Sequence, residues 1–256
     1  NRRQTMSQTL EQIRQYWNSR AEGYTLSNRE ELEDEHRIFL WEQQIRRALN
    51  GRICRDVLDV GWGPGFFSVL LARLGYEVTA VDYTENMLAE ARKNAAHYGV
   101  DIDFRRMDAQ KLDFEDGIFD LVISRNVLWN LEQPEQAYRE WLRVLKKGGK
   151  LLNFDANWYG YLYDDKKREA YENDRKNVEK GSLDDHYLCT DIDRMEKIAL
   201  QVPLSETKRP GWDVKVLEAL GAAQIQVNED IWQQVWSEEE KLNYGSTPMF
   251  MVEAVK

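Results

Sequence analysis

The chain has 256 residues, with 45 acidic against 35 basic side chains and a formal net charge of −10. That length suits one α/β domain with a buried core, or such a domain with a modest insert. The acidic balance repels phosphate backbones and argues against DNA or RNA as a partner, and no stretch approaches the roughly 20 uninterrupted apolar residues of a membrane helix. A neutral or cationic small molecule is the partner this charge favours.

Arg2 and Arg3 lead into a polar helix and not an apolar core, so no cleavable signal is expected there. Cys54 and Cys189 are far apart and read as two reduced thiols of a cytoplasmic protein. His36, His97 and His186 form no metal-like cluster, so no metal is expected.

Leu10, Ile13 and Trp17 lie at helical spacing and predict a helix from about Ser7 to Trp17. The polar segment from Asn18 to Asn28, containing Gly23 and Tyr24, reads as a break. A second helix runs from about Asn28 to Leu49, stopped by Asn50-Gly51. The rhythm then changes. Short apolar runs at Asp56–Val60, Glu77–Val81, Ile102–Arg105, Phe119–Ile123 and Lys150–Phe154 predict strands. Helices are predicted between them at Phe66–Leu74, Glu85–Tyr98 and Glu135–Leu145, the last ended by Gly148-Gly149.

Such alternation implies right-handed crossovers and a parallel sheet with helices on both faces, an α/β fold. Residues 156–211, rich in Tyr, Asp and Lys, interrupt it and read as an insertion with its own short helices. A helix at Asp213–Leu220 and strands at Ala223–Val227 and Met249–Ala254 complete the chain.

In an open parallel sheet, ligands bind beyond the carboxyl ends of the strands. Gly61, Gly63 and Gly65 follow the first strand and leave room for a ligand to approach the backbone. Their spacing is GxGxG and not the GxGxxG of dinucleotide binders, and a structural tight turn explains it as well. Asp82 ends the second strand, 21 positions after Gly61. Its carboxylate suits a ribose diol or, alternatively, the cap of the helix that begins near Glu85.

Here the sequence resembles the class I S-adenosylmethionine-dependent methyltransferases, in particular the ubiquinone/menaquinone-biosynthesis type. VLDVGWGPGFFS resembles that family's first motif and VTAVDYTENML its second. RRMDAQKLDFEDGIFDLVISRNVLWNL and WLRVLKKGGKLLNFD resemble the blocks that follow, so the likeness covers about Asp56 to Asp155. It implies a Rossmann-like, doubly wound sheet of seven strands, mostly parallel with an antiparallel last strand. Residues 1–50 would then be a helical cap, 51–155 and 212–256 the cofactor-binding core, and 156–211 a substrate-side lid.

The resemblance also implies roles. Gly61, Gly63 and Gly65 would pass close to the methionine and ribose parts of S-adenosyl-L-methionine, with Asp82 on the ribose. Tyr83 and Met87 would pack on the adenine, and Asp108 would accept from its amino group, with Ala109 and Gln110 beside it. Asn126 would face the methionine end, next to Val127. Tyr16, Arg20 and Tyr24 belong to the amino-terminal segment that closes over the cofactor in this family.

The implied reaction moves a methyl group to an oxygen, nitrogen or carbon of a small-molecule acceptor and leaves S-adenosyl-L-homocysteine. Catalytic residues are not identifiable, although Asp155, His186 or a tyrosine of the insert would be candidates for a base. Trp62 departs from the small residue usual between the first two glycines; it would fill space beneath the cofactor as one of its binding residues, narrow the substrate pocket, or mark an altered ligand or a non-catalytic binding module. A nicotinamide-dependent oxidoreductase is the remaining alternative. The sequence leaves monomer or homodimer open, and it does not identify the acceptor.

Overall fold

The computed structural model describes residues 2–61, 63–186 and 190–256, and the side chains of all of these except 2–7 and 24. Short runs of apolar residues form the strands β1 (Asp56–Val60), β2 (Glu77–Asp82), β3 (Asp103–Arg106), β4 (Phe119–Arg125), β5 (Leu145–Asp155), β6 (Ala223–Asn228) and β7 (Phe250–Val255). They make one sheet in the order β3-β2-β1-β4-β5-β7-β6. The β3-β2, β2-β1, β1-β4 and β4-β5 pairs are parallel, and β7 runs antiparallel to both of its neighbours. The order reverses between β1 and β4, which opens a crevice at the carboxyl edge.

The middles of the central strands are mostly apolar because both of their faces are covered. The helices are α1 (Arg2–Glu33), α2 (Glu35–Leu49), α3 (Phe66–Arg73), α4 (Glu85–Tyr98), α5 (Pro134–Val144), α6 (Asp165–Lys180), α7 (Ile192–Ala199), α8 (Gly211–Ala219), α9 (Ile231–Val235) and α10 (Glu238–Tyr244). On one face, Val57, Leu121 and Phe154 pack with Trp41 and Ile45 of α2 and with Phe67 and Leu70 of α3. On the other, Leu58, Val122 and Leu151 pack with Tyr138 and Trp141 of α5 and with Leu217 of α8.

Three elements differ from the sequence expectation. The break at Asn18–Asn28 is absent, and α1 runs unbroken to Glu33. Its buried side includes Thr9, Thr25, Asn28 and Glu31 beside Ile13, Tyr16, Ala21 and Leu32, so hydropathy does not reveal the stripe. The Thr25 hydroxyl donates to the Ala21 carbonyl at 2.7 Å, which keeps it inside the helix. The real break is at Asp34, whose carboxylate caps α2 by accepting from the amides of His36 and Arg37.

The second difference lies in β5. Gly148-Gly149 does not precede the strand but sits inside it, where the pairing register with β4 shifts between Phe119 and Leu121. A Cβ on Gly149 would stand 2.8 Å from the Lys146 carbonyl, so the bulge requires glycine there. Third, α9 and α10 lie between β6 and β7, where no helix was expected. Ser237 and Glu240 close a reciprocal capping box at the start of α10.

Helix α1 lies along the carboxyl edge. Asn18 accepts from Asn86 of α4 at 3.0 and 3.1 Å, and Arg29 donates to Asn94 of α4 at 2.7 Å. Thr9 donates to Gln201, just beyond α7, at 3.0 Å. Glu31 takes a two-pronged donation from Arg125 at the end of β4, at 2.7 and 3.1 Å. No helix among the described residues is long and apolar enough to cross a membrane.

Glu31→Gln removes the charge that offsets Arg125 and Arg37, both of them largely buried. Stability is expected to fall by about 2–4 kcal/mol, as when one member of a buried pair is lost. Urea unfolding measures this, and a loss under about 0.5 kcal/mol, the level of an ordinary surface change, would refute the assignment.

Candidate functional site

The crevice holds a cavity of about 960 Å³, counting its open mouth. Its floor is made by the ends of β1, β2 and β4 and the loop after β3, and its roof by α1.

Gly61 leaves β1 with φ at +66°, and its amide donates to the Val81 carbonyl at 2.8 Å. A side chain on Gly61 would collide with that of Val127. Glycine is thus required here by the approach of the β4 turn as much as by any ligand. Gly63, at φ +56°, also lines the cavity. Gly65 does not; it starts α3 at φ +99° and faces Ala91 and Val69. Asn94 donates to the Pro64 carbonyl at 2.9 Å and fastens this loop to α4.

Asp59, one residue upstream of Val60, lines the cavity yet is only 1% exposed. Its Oδ2 accepts from the Ser68 hydroxyl at 2.6 Å. Burial pushes the carboxyl up from 3.8 to about 7, against the opposing pull of Ser68 and Arg125.

Asp82 faces the cavity and also serves the start of α4, so both sequence alternatives meet in one residue. Its Oδ1 accepts from the Thr84 amide at 2.9 Å and the Thr84 hydroxyl at 2.8 Å. Burial raises this carboxyl, and the Thr84 donors oppose the rise. Tyr83 and Met87 line the wall beside it. Asp108 and Ala109 line the next stretch. Gln110 does not; it donates from its amide and its side chain to Asp108 Oδ1, at 2.9 and 3.0 Å, and braces that carboxylate from behind. Gln110 is itself held by the Gln133 amide, which donates to its Oε1 at 2.6 Å.

The turn after β4 supplies the far wall. Asn126 adopts φ +60°, its amide donates to the Phe154 carbonyl at 2.8 Å, and its Oδ1 is buried without a hydrogen-bond partner among the described residues. Val127 stands against Gly61. Asn130, with its amide turned to match its neighbours, donates to the Val127 carbonyl at 2.6 Å and accepts from Trp17 Nε1 at 2.9 Å. This bond joins the roof to the wall.

The structure therefore gathers Gly61, Gly63, Asp82, Tyr83, Met87, Asp108, Ala109, Asn126 and Val127 around one cavity. Gly65, Gln110, Tyr16 and Arg20 are not among its lining residues. Tyr16 is buried in an aromatic cluster with Trp129, Tyr159 and Tyr161. Trp62 and the Tyr24 side chain lie outside the described residues.

Sequence reasoning missed Arg14, Asn28 and Arg125 as lining residues and placed Trp17 only on the apolar face of a helix. The helical spacing of Leu10, Ile13 and Trp17 was the available signal, since these three share the face of α1 turned to the cavity. Asp155 is fully buried and engaged by Arg209. His186 faces Glu239 and Tyr244 at 3.0 Å each, and neither Asp155 nor His186 lines the cavity.

Residues 58–153 match the family described as a methyltransferase domain. Within curated proteins, the domain region is 38% identical over 118 residues to a ubiquinone biosynthesis O-methyltransferase of Caulobacter vibrioides, covering 43% of this chain and 47% of that protein. It is 37% identical over 117 residues to a ubiquinone/menaquinone biosynthesis C-methyltransferase of Roseobacter denitrificans, covering 44% and 47%. The chain thus spans about half the length of the curated relatives it matches. A phosphoethanolamine N-methyltransferase of Haemonchus contortus, solved with S-adenosyl-L-methionine, shares the fold of the methyltransferase domain. Its TM-score is 0.58 at 20% identity, covering 84% of this chain and 52% of that one.

The raised Asp59 carboxyl gives a pH test. Folding favours its protonated form, so the native state holds an extra proton between about pH 4 and 7, and stability from this group declines as pH rises through that window. Asp59→Asn abolishes the decline. Comparing urea midpoints at pH 5 and pH 8, the wild type should lose about 2–4 kcal/mol more than the variant. Equal responses would mean that Asp59 is ionised throughout.

Proposed function

We propose that this chain transfers a methyl group from S-adenosyl-L-methionine to an oxygen, nitrogen or carbon of a small-molecule acceptor. The observation that carries the reading is the convergence of Asp82, Asp108 and the unpartnered Asn126 Oδ1 on one cavity beside a glycine turn. Three separate strand ends supply them.

The residues fit a sulfonium nucleoside. Asp82 Oδ1 is held by Thr84, which aims the carboxylate, and Asp82 lines the cavity where a ribose hydroxyl would meet it. Asp108, braced by Gln110, suits an adenine amino group, with Tyr83 and Met87 against the ring. Asn126 Oδ1 is placed to accept from an ammonium group at the methionine end. The bound cofactor supplies an activated methyl group open to in-line displacement. This chain contributes alignment and exclusion of water, through the apolar side chains Leu10, Ile13, Trp17 and Leu131 that line the cavity.

We further assign 1–50 as the cap, 51–155 and 212–256 as the cofactor-binding core, and 156–211 as the acceptor-side insertion. Support comes from α1 roofing the cavity and from the aromatic cluster that joins Tyr16 to Tyr159, Tyr161 and Met195. A cytoplasmic setting, without nucleic-acid or membrane partners, is supported by the net charge of −10 and the free Cys54 thiol.

Isothermal titration with S-adenosyl-L-methionine, S-adenosyl-L-homocysteine and NAD tests the assignment. Both sulfur nucleosides should bind and NAD should not; failure of both to bind would sink it. Asp82→Ala should weaken binding of S-adenosyl-L-homocysteine by about 10–100-fold, the loss expected for hydrogen bonds to a charged group.

A further inference from the structure

The last residue of β5 and the far end of the insertion meet beneath the site in a polar knot without access to solvent. The side chains of Asp155, Arg209 and Asp213 are all fully buried. Arg209 donates from Nε and Nη2 to the two oxygens of Asp213, at 3.0 and 2.8 Å, and from Nη1 to Asp155 Oδ2 at 2.7 Å. Its guanidinium lies over Phe250 of β7, 5.1 Å from the ring centre. A well-packed apolar cluster would serve stability as well as buried charge does. What the knot holds in place is therefore the informative part.

It holds the turn after β4. Asp155 Oδ2 accepts the Trp129 amide at 3.0 Å, and Oδ1 accepts the Ala156 amide at 3.0 Å. Trp129 lies between Asn126–Val127 and Asn130–Leu131, all four of which line the cavity. A second tie to β5 is the Asn126 amide on the Phe154 carbonyl at 2.8 Å. Both of these ties to β5 belong to its last two residues. The Asp155 tie is a side chain with two rotatable bonds, and Arg209 removes that freedom. Asn126 at φ +60° needs such external ties, because residues with a Cβ seldom hold that conformation unaided.

We propose that Arg209 is a positioning residue, which acts through Asp155 on the Trp129 amide and so places Asn126 and Asn130 at the methionine end of the cavity. The inference rests on reading that cavity as the cofactor site. Arg209 does not line the cavity. It comes from the end of the insertion, 54 residues beyond Asp155. The wall of the transfer site thus depends on a segment outside the domain shared with relatives, through a charge pair and not only through cover.

Two isosteric variants divide the knot. Asp155→Asn releases Arg209 from the turn, whereas Asp213→Asn releases it only from α8. Asp155→Asn should raise the dissociation constant for S-adenosyl-L-homocysteine about tenfold and speed hydrogen exchange at the Trp129 amide at least tenfold, roughly the loss of one charge-assisted bond. Asp213→Asn should lower the melting temperature yet leave both quantities within about twofold. Should Asp155→Asn not fold, Arg209→Gln and Arg209→Lys replace it, with Lys retaining more Trp129 protection than Gln. Equal effects of the two aspartate variants, or no gain from Lys over Gln, would overturn the proposal. Exchange is read in ligand-free protein. It therefore decides the point even if the wild type binds no S-adenosyl-L-homocysteine, a result that would defeat only the functional reading.

Discussion

The Arg125–Glu31 pair is the contact on which the covered site depends. Arg125 ends β4 with its guanidinium over the rings of Trp41, Phe66 and Phe67, at 5.4, 4.6 and 5.2 Å. A cation in that setting is tolerable only with a carboxylate close by, since ring faces alone contribute about 1–2 kcal/mol. Glu31 is the carboxylate that meets it, and it is carried by α1. Arg37 then bridges Glu31 and Glu240, which adds α2 and α10 to the same network. The end of the central strand and the long helix above the crevice are thereby fixed together. Leu10, Ile13 and Trp17 reach the cavity because the far end of their helix is pinned there.

Within the cavity the carboxylates Asp59, Asp82 and Asp108 face Arg14 and Arg125, and Arg125 is already balanced by Glu31. Burial lifts the carboxyls of Asp59 and Asp82, because the buried crevice solvates negative charge poorly. A ligand carrying positive charge would return part of that energy on binding. A dinucleotide, with its pyrophosphate, would add to the repulsion. The electrostatics of the crevice thus favour a cationic nucleoside over an anionic one, independently of the spacing of the glycines.

Strand positions were legible in the sequence because central parallel strands are apolar on both faces and end where the glycines and carboxylates begin. β1 and α4 fall at their expected bounds. The course of α1 was not legible, because half of its buried face is polar, with Thr9 and Glu31 satisfied by the distant partners Gln201 and Arg125. The same limit applies at the site. The resemblance placed Gly65 and Gln110 beside the cofactor, but a motif position does not say which way a residue faces. Gly65 turned out to serve helix packing, and Gln110 to serve Asp108. Arg125 was hidden for a different reason: its partner lies 94 residues away, near the start of what was expected to be a separate second helix.

The family match stops at residue 153, two residues short of Asp155. Inside that span lie the glycine turn, Asp82, Asp108 and Asn126, which hold the cofactor on the proposed reading. Outside it lie α1 and residues 156–211, which on that reading cover the site and face the acceptor. In-line displacement would require the two sets to agree closely, because it tolerates little misplacement. Arg125–Glu31 and Arg209–Asp155 each join one residue at the end of a core strand to one outside the core. Charge pairs suit that task better than apolar contacts, because their geometry is directional and a buried partner left alone is strongly disfavoured. The variable parts can then change shape while two fixed points hold the roof and the wall in register with the shared floor.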